Sequence, residues 1–418
     1  MLNDEVIEKV VERLVNRIEQ GNEFLLQKIG ESIKKIGGLT PSRAQELVQI
    51  MKYGGDFDKI VNKLEKITKL NAIDIYKIFK EVAKSDIVFA KQFYDFRGKK
   101  FIPYEENIAL KNQVETLASI TSNEYINLTR TNAVAFGTRA DDGTITYKGL
   151  RQTYYDLLDE AVMNVSQGKE AFGQAMYRQL KEIGTGGMKV IFPSTYIGKD
   201  KNGNEVIKNR IMRADSAIRL QMRTALRNLH NETQKIIGEE IQADGVEISV
   251  HINPAPDHAK VQGKQFRNEE FEKFQNDDDA VSYDGVEFPA IAEETGRDRR
   301  AISQYNCYHY IFSIILGVNE PQYTNEELEQ IIEDGKKTFE FEGKKYNMYE
   351  GTQLQREIER AIREQKDFYI ISKASDNIKG IEESGKKIRL LTKKYKQLSE
   401  ISGLKTKMNR MRVVGYKK

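Results

Sequence analysis

The sequence predicts a mostly α-helical protein with an α+β C-terminal core. Three observations lead to that class. Only seven prolines and no tryptophan occur in 418 residues, and proline is the residue that most reliably ends a helix. Apolar residues recur at helical spacing through most of the first half. Between about residues 184 and 348 the texture changes to glycine-rich and β-branched segments punctuated by turn dipeptides. With 39 % hydrophobic residues the chain can bury cores, so wholesale disorder is excluded. Its length suggests two or three structural units, at roughly 100–200 residues per domain.

Ile7, Val10, Val11, Leu14, Val15 and Ile18 mark one face of the first helix. Gly37-Gly38 end it. Thr40-Pro41 restart a helix, with Thr40 as a side-chain cap and Pro41 in the first turn, where a missing N–H costs nothing. Ile60, Val61, Leu64, Ile67 and Leu70 line a further helix, and the pattern continues past Ile78 and Val88. Residues 1–100 therefore read as a helical array. Across 101–183 two long helices are expected, one before the Asp141-Asp142-Gly143 turn and one from about Lys148.

After Ile183 the chain turns glycine-rich, and Asn202-Gly203 is a strong hairpin dipeptide with Val206-Ile207 on its far side. Residues 213–243 return to helix. Val246 to Ile252 alternate apolar and polar as a strand does, and short strands are expected around Asp284-Gly285 and Glu342-Gly343. Residues 184–348 thus form the α+β core. The last region, 349–418, holds two charged helices, over about 352–374 and 377–399. No repeat of fixed period and no low-complexity segment is present.

Total charge is near balance, 66 Lys+Arg against 63 Asp+Glu, net +3. That balance hides an asymmetry. From Lys386 to Lys418 twelve Lys/Arg face a single acid, Glu400, so the tail carries +11 and the preceding residues −8. Lys386, Lys387, Arg389, Lys393, Lys394 and Lys396 are interleaved with Leu390, Leu391, Tyr395 and Leu398 at helical spacing. Such a stripe is a candidate contact for nucleic acid or an acidic protein surface, and a merely solvated helix face would have the same composition. It holds too few aromatics for a single-strand stacking platform.

The amino terminus is acidic and amphipathic, whereas a secretory leader is basic and then apolar, so no export is expected. The longest apolar run, Tyr310 to Val318, is interrupted by Ser313 and Gly317 and is about half of the ~20 residues a membrane helix needs. Cys307 is the single cysteine, which excludes an internal disulfide framework and suits a reducing compartment.

Three of the four histidines and that cysteine fall in one window: His251, His258, Cys307 and His309. Cys307 and His309 lie on the same side of an extended segment, and a loop carrying His258 can close on them. Four such N/S donors suit tetrahedral zinc, although Cys-x-His is not a common paired zinc spacing. The alternatives are buried polar residues that hydrogen-bond a loop-rich core, or a Cys307 nucleophile with His258 or His309 as its base. Gly184-Thr185-Gly186-Gly187-Met188-Lys189 lacks the spacing of a phosphate-cradling loop and reads as a turn. Asp277, Asp278 and Asp279 with Glu269, Glu270 and Glu272 lack the alternation of a calcium loop and read as a solvated loop.

Several segments resemble the tailed-phage minor capsid protein 2 family, related to Mu F-like head morphogenesis proteins. The first is Glu247 to Phe266, in which a strand ends in His251 and Pro256-Asp257-His258 precedes Gln262-Gly263-Lys264. Next come Asn306-Cys307-Tyr308-His309 and then Gly317 to Tyr323. Asp215 to Arg219, Met222 to Leu226, Asn228, Tyr349 to Arg363, Tyr395, Ser402 to Leu404 and Arg412 to Gly415 also fit, so the resemblance covers at least residues 210–418. Ala255 stands where the family often has a basic residue, and Val261 where it often has an aromatic one. The resemblance implies a Mu F-like core and a low-copy virion protein, present in the host cytoplasm during assembly. It would act near the portal in head assembly, with a role in genome packaging or ejection. The implied partners are the portal or major capsid protein, with DNA contact through the basic tail. No catalysis and no cofactor are then expected, and His251, Pro256, His258, Gln262, Gly263, Lys264, Asn306, Cys307 and His309 would mainly shape the core. The alternative is a hydrolase or transferase using the His/Cys cluster, with zinc.

Overall fold

The computed structural model describes residues 4–69, 72–129, 134–139, 145–199, 205–251, 253–255, 258–291, 301–303 and 307–416. These are mostly helical, with short strands between the helices. They group into two compact units, each assembled from three separate stretches of chain. The first takes residues 1–11, 71–122 and 220–353; the second takes 12–70, 123–219 and 354–418. The linear division into 1–100, 101–183, 184–348 and 349–418 does not follow these units, because several boundaries fall inside long helices, which sequence texture shows as continuous.

The helical array opens with α1 (Asp4–Gly37), α2 (Pro41–Tyr53), α3 (Asp56–Thr68) and α4 (Ala72–Phe96). Pro41 occupies the first turn of α2 as expected, but the Thr40 side chain makes no capping hydrogen bond. α5 (Ile108–Thr129) follows.

Where one uninterrupted pair of helices was expected over 101–183, the chain instead inserts a β-hairpin, β1 (Val134–Arg139) and β2 (Ile145–Gly149). β1 also pairs with β3 (Lys189–Lys199), placing Val134 opposite Val190. That partner lies more than fifty residues away, so tertiary pairing overrides the local helical pattern. The second helix is itself divided, into α6 (Leu150–Ser166) and α7 (Lys169–Gly186). Gly168 between them has φ 103°, a value that no helix can pass through.

β3 and β4 (Glu205–Arg213) form the expected antiparallel hairpin and complete a four-stranded sheet, β2-β1-β3-β4. Its register shifts between Phe192 and Thr195, beside Pro193, which has no amide to give to a ladder. The run from Gly184 is the end of α7 and not a free turn. A Cβ on Gly184 would sit 2.5 Å from the Phe368 Cα, so glycine there permits close backbone approach.

A buried ionic network lies within the second unit. Arg213 Nη2 forms an ion pair with Asp367 Oδ2 at 2.9 Å, and its Nε donates to Asp215 Oδ1 at 3.2 Å. Arg363 Nε lies 2.8 Å from Asp215 Oδ2, and its Nη1 donates to the Arg410 carbonyl at 2.6 Å. Asn22 Nδ2 donates to Asp367 Oδ1, while Asn22 Oδ1 accepts from the Met188 N–H. All of these side chains are buried. Burial opposes ionisation of Asp215, but Arg213 and Arg363 hold its carboxyl well below the usual range. Asp367 is fully buried, and burial pushes it up to about 6 despite Arg213.

The first unit contains a three-stranded antiparallel sheet, β6-β5-β9, made of β5 (Gly245–Ile248), β6 (Gln265–Arg267) and β9 (Ile311–Ile314). α8 (Ala214–Ile241), the helix expected over 213–243, precedes β5; β8 (Glu287–Phe288) pairs with β7 (Ala280–Val281), and α9 (Asn268–Gln275) precedes that small hairpin. β5 was expected to run to Ile252 with one polar face, but it ends at Ile248 and all four of its residues are buried. Even Glu247 is covered: Gln265 Nε2 donates to its carboxylate at 2.9 Å, and burial raises its pKa. Val246, Ile248, Val261, Phe266, Phe274, Phe288 and Ile302 pack around this sheet as one hydrophobic core that reaches Cys307.

Downstream are α10 (Asn325–Lys336), the β10 (Thr338–Phe341) and β11 (Lys344–Asn347) hairpin, α11 (Met348–Ala374) and α12 (Ile378–Ser402). α10 begins with a reciprocal cap, in which Thr324 Oγ1 accepts from the Glu327 N–H and Glu327 accepts from the Thr324 N–H. Asn377 caps α12 by accepting from the Gly380 N–H, and Gly403 closes it at φ 71°. Among the described residues no helix is long and apolar enough to cross a membrane.

Candidate functional site

The His/Cys cluster assembles in the first unit, where the chain after β5 meets the segment entering β9. Ser249 donates its N–H to the Tyr310 carbonyl at 2.9 Å, and Tyr310 N–H donates to Ser249 Oγ at 2.8 Å. Those bonds continue the β5–β9 pairing and keep residues 307–310 extended. Side chains then alternate: Cys307 and His309 face one way and Tyr308 the other, where it stacks on His251 at 4.9 Å between ring centroids.

His258 arrives on a turn. Its N–H donates to the Ala255 carbonyl at 2.9 Å, and the Gln262 N–H donates back to the His258 carbonyl at 3.3 Å. Gly263 ends the turn at φ 73°, and its N–H donates to the Ile248 carbonyl at 2.8 Å. A Cβ at Gly263 would overlap Leu328 Cδ2 and approach Val250 Cγ2 to 3.1 Å. Gly263→Ala is therefore expected to destabilise the protein by about 2–3 kcal/mol, combining left-handed strain with overpacking. Urea denaturation measures this, and a change below about 0.5 kcal/mol, the scatter of neutral surface substitutions, would show that the turn is not so constrained.

These elements bring three donors together. Cys307 Sγ lies 3.4 Å from His309 Nδ1 and 3.7 Å from His258 Nδ1, and one donor atom from each of the three residues lies within 4.8 Å of the others. All three residues are buried. The fourth expected ligand, His251, is not in that set: its ring stacks on Tyr308 and stands 5.9 Å from the His309 ring. The remaining histidine, His230, lies outside the cluster and pairs through Nδ1 with buried Asp86 at 2.7 Å.

Gln262 organises the cluster from behind. Its Oε1 accepts the His251 backbone N–H at 3.0 Å and stands 3.2 Å from His309 Nε2. A backbone amide can only donate, so the oxygen must face this way, and His309 donates from Nε2. In its neutral form His309 then presents a bare Nδ1 to Cys307. Burial works against the Cys307 thiolate, but the contacts with His258 and His309 outweigh it and bring the thiol down to about 5. Burial likewise lowers the nearby Arg227 guanidinium, and the charge of Cys307 counters that.

The other motif residues hold this framework. Lys264 Nζ reaches Asp284 at 2.6 Å and Asn325 Oδ1 at 2.8 Å, tying the turn to the β7–β8 hairpin and the start of α10. Pro256 and Asn306 lie outside the described residues. The acidic run serves the same loop region: Asp277 accepts from the Ile291 N–H, Asp279 from the Ala290 N–H and Glu270 from the Val281 N–H. Its carboxylates anchor backbone instead of forming a merely solvated loop. Gln262's role was not legible as chemistry; only its place in the Gln-Gly-Lys motif marked it.

The second candidate surface is α12, in the other unit. Ile388, Tyr395 and Leu398 are buried, and Tyr395 OH donates to Glu359 Oε1 while accepting from the Lys407 N–H. On the outer face Lys386, Lys387, Arg389, Lys393 and Lys396 are exposed and Lys394 is half-buried. Lys387 pairs with Glu383 at 3.0 Å. Leu390, expected on the packed side, is 67 % exposed and sits among the cations.

The family model for phage minor capsid protein 2 matches residues 2–400, nearly the whole chain. The chain belongs to that family. It is accordingly a structural protein of the phage virion that works with other proteins of the head. Membership in a capsid family does not favour the hydrolase or transferase alternative. No curated protein and no solved structure matches the chain.

Proposed function

We propose that this minor capsid protein is a low-copy, Mu F-like component that acts beside the portal during head morphogenesis, contacting portal or major capsid protein, and that the outer face of α12 binds DNA as the genome is packaged or ejected. The observation that supports the DNA contact is the division of α12 into a buried apolar side and an exposed cationic side. Five exposed or half-exposed lysines on one helix face can neutralise phosphates and release counterions. Assembly in the host cytoplasm precedes that contact.

The test is binding of the full chain to duplex DNA, portal and major capsid protein separately, by co-sedimentation across a salt series. Replacing Lys386, Lys387, Lys393, Lys394 and Lys396 with Gln is expected to weaken DNA binding and flatten its log–log salt slope by up to about 4.5, at about 0.9 per lost phosphate contact. An unchanged slope, or loss of binding to capsid protein alone, would overturn the DNA reading.

A further inference from the structure

We propose that His258 Nδ1, Cys307 Sγ and His309 Nδ1 bind one zinc ion, which fastens the turn after β5 to the segment entering β9. The inference rests on the geometry of the cluster and is independent of the DNA reading.

Zinc–sulfur bonds of about 2.3 Å and zinc–nitrogen bonds of about 2.0–2.1 Å at a tetrahedral angle give an S···N edge of about 3.6 Å. The two edges here are 3.4 and 3.7 Å. With its proton at Nε2 committed to Gln262, His309 presents a lone pair at Nδ1 toward Cys307 Sγ, and a cation between the two engages both as ligands. A single cation satisfies all three donors at once. Thiolate with two imidazoles disfavours magnesium and calcium, which take oxygen, and suits zinc.

The surroundings fit the same ion. A zinc-bound histidine characteristically donates its other nitrogen to a carbonyl or carboxylate, which fixes its tautomer. Gln262 Oε1 is placed to do this for His309, and Gln262 is only 1 % exposed. Buried Val261 and Ile302 belong to the hydrophobic core that reaches Cys307, giving the site a dry wall. His258 and Cys307 are 49 residues apart in the chain, so the ion closes a long loop and its binding energy becomes folding energy. Three protein donors leave one tetrahedral corner for a further ligand.

The experiment uses the full chain purified without chelator, with metal measured by plasma mass spectrometry. About one zinc per chain is expected, falling below about 0.1 in Cys307→Ala and in His258→Ala, since each removes a ligand. Cobalt exchanged into the wild-type protein should show a thiolate charge-transfer band that Cys307→Ser abolishes. Gln262→Ala keeps all three ligands and should bind zinc about 10–100-fold more weakly at unchanged helix content, which separates a lost site from a lost fold. The proposal is overturned if stripped wild-type protein of native helix content takes up neither zinc nor cobalt. It is equally overturned if both ligand variants retain the metal, or if a metal-free Cys307 reacts with thiol reagents at a rate that added zinc does not change.

Discussion

Replacing Arg213 with Met is expected to destabilise the protein by about 3–5 kcal/mol, the usual cost of removing one partner from a buried ion pair. The loss comes from what stays behind. Asp367 has no exposure and would lose its 2.9 Å contact from Arg213, keeping Asn22 as an uncharged partner. Asp215 retains Arg363, so its carboxylate suffers less. Asp367 can escape by taking up a proton, and its pKa is already pushed up to about 6 by burial. Removing the guanidinium moves it further in the same direction. The variant should therefore be hurt more at pH 8 than at pH 5, because at the higher pH the unfolded chain gains more by releasing that proton. Urea denaturation at both pH values reads this out, and Arg213→Met combined with Asp367→Leu should recover most of the loss. A single-variant cost below about 1 kcal/mol would place it among ordinary substitutions and remove the network from any central role in stability.

Glu19→Gln should act in the opposite sense, stabilising the protein above neutral pH. Glu19 is buried within the second unit, and burial, reinforced by Asp215 and Asp367, pushes its carboxyl from 4.5 up to about 8. The folded protein thus holds a proton that the unfolded chain releases above about pH 4.5. Stability is full below that value and falls as pH rises toward 8, at a limiting slope of about 1.4 kcal/mol per pH unit. Gln copies the shape of the neutral acid and cannot ionise. The variant should match the wild type near pH 4.5 and exceed it at pH 8 by on the order of 2–4 kcal/mol. Asp367 leaves a residual slope at lower pH, below about 6. Thermal melts of both proteins from pH 4.5 to 8.5 measure the difference, and parallel curves would show that Glu19 is already ionised in the fold.

Most helices were legible because their signals are local. Proline at the start of α2, apolar spacing along α1 and the Asn202-Gly203 dipeptide in the sequence between β3 and β4 are all signals that act within a few residues. The β1–β2 hairpin was not, because its strand identity depends on pairing with β3. Glycine 168 divides α6 from α7 through a backbone angle that no residue pattern displays. The tail stripe was visible as composition, yet the exposure of Leu390 was not, since helical spacing gives a face only to within a residue.

The sequence by itself determined the helical class, the family through its His, Gln-Gly-Lys and Cys-x-His segments, and the residue types available for metal or phosphate contact. Only the tertiary structure decided which of these meet. It joins His258 to Cys307 and His309 and sets His251 on Tyr308. It also buries Arg213, Asp215, Arg363 and Asp367 as one network. The physical reason is range: propensity, capping and periodicity are fixed by neighbours along the chain. Burial, proton affinity and ligand geometry are fixed by neighbours in space, here tens to more than a hundred residues away.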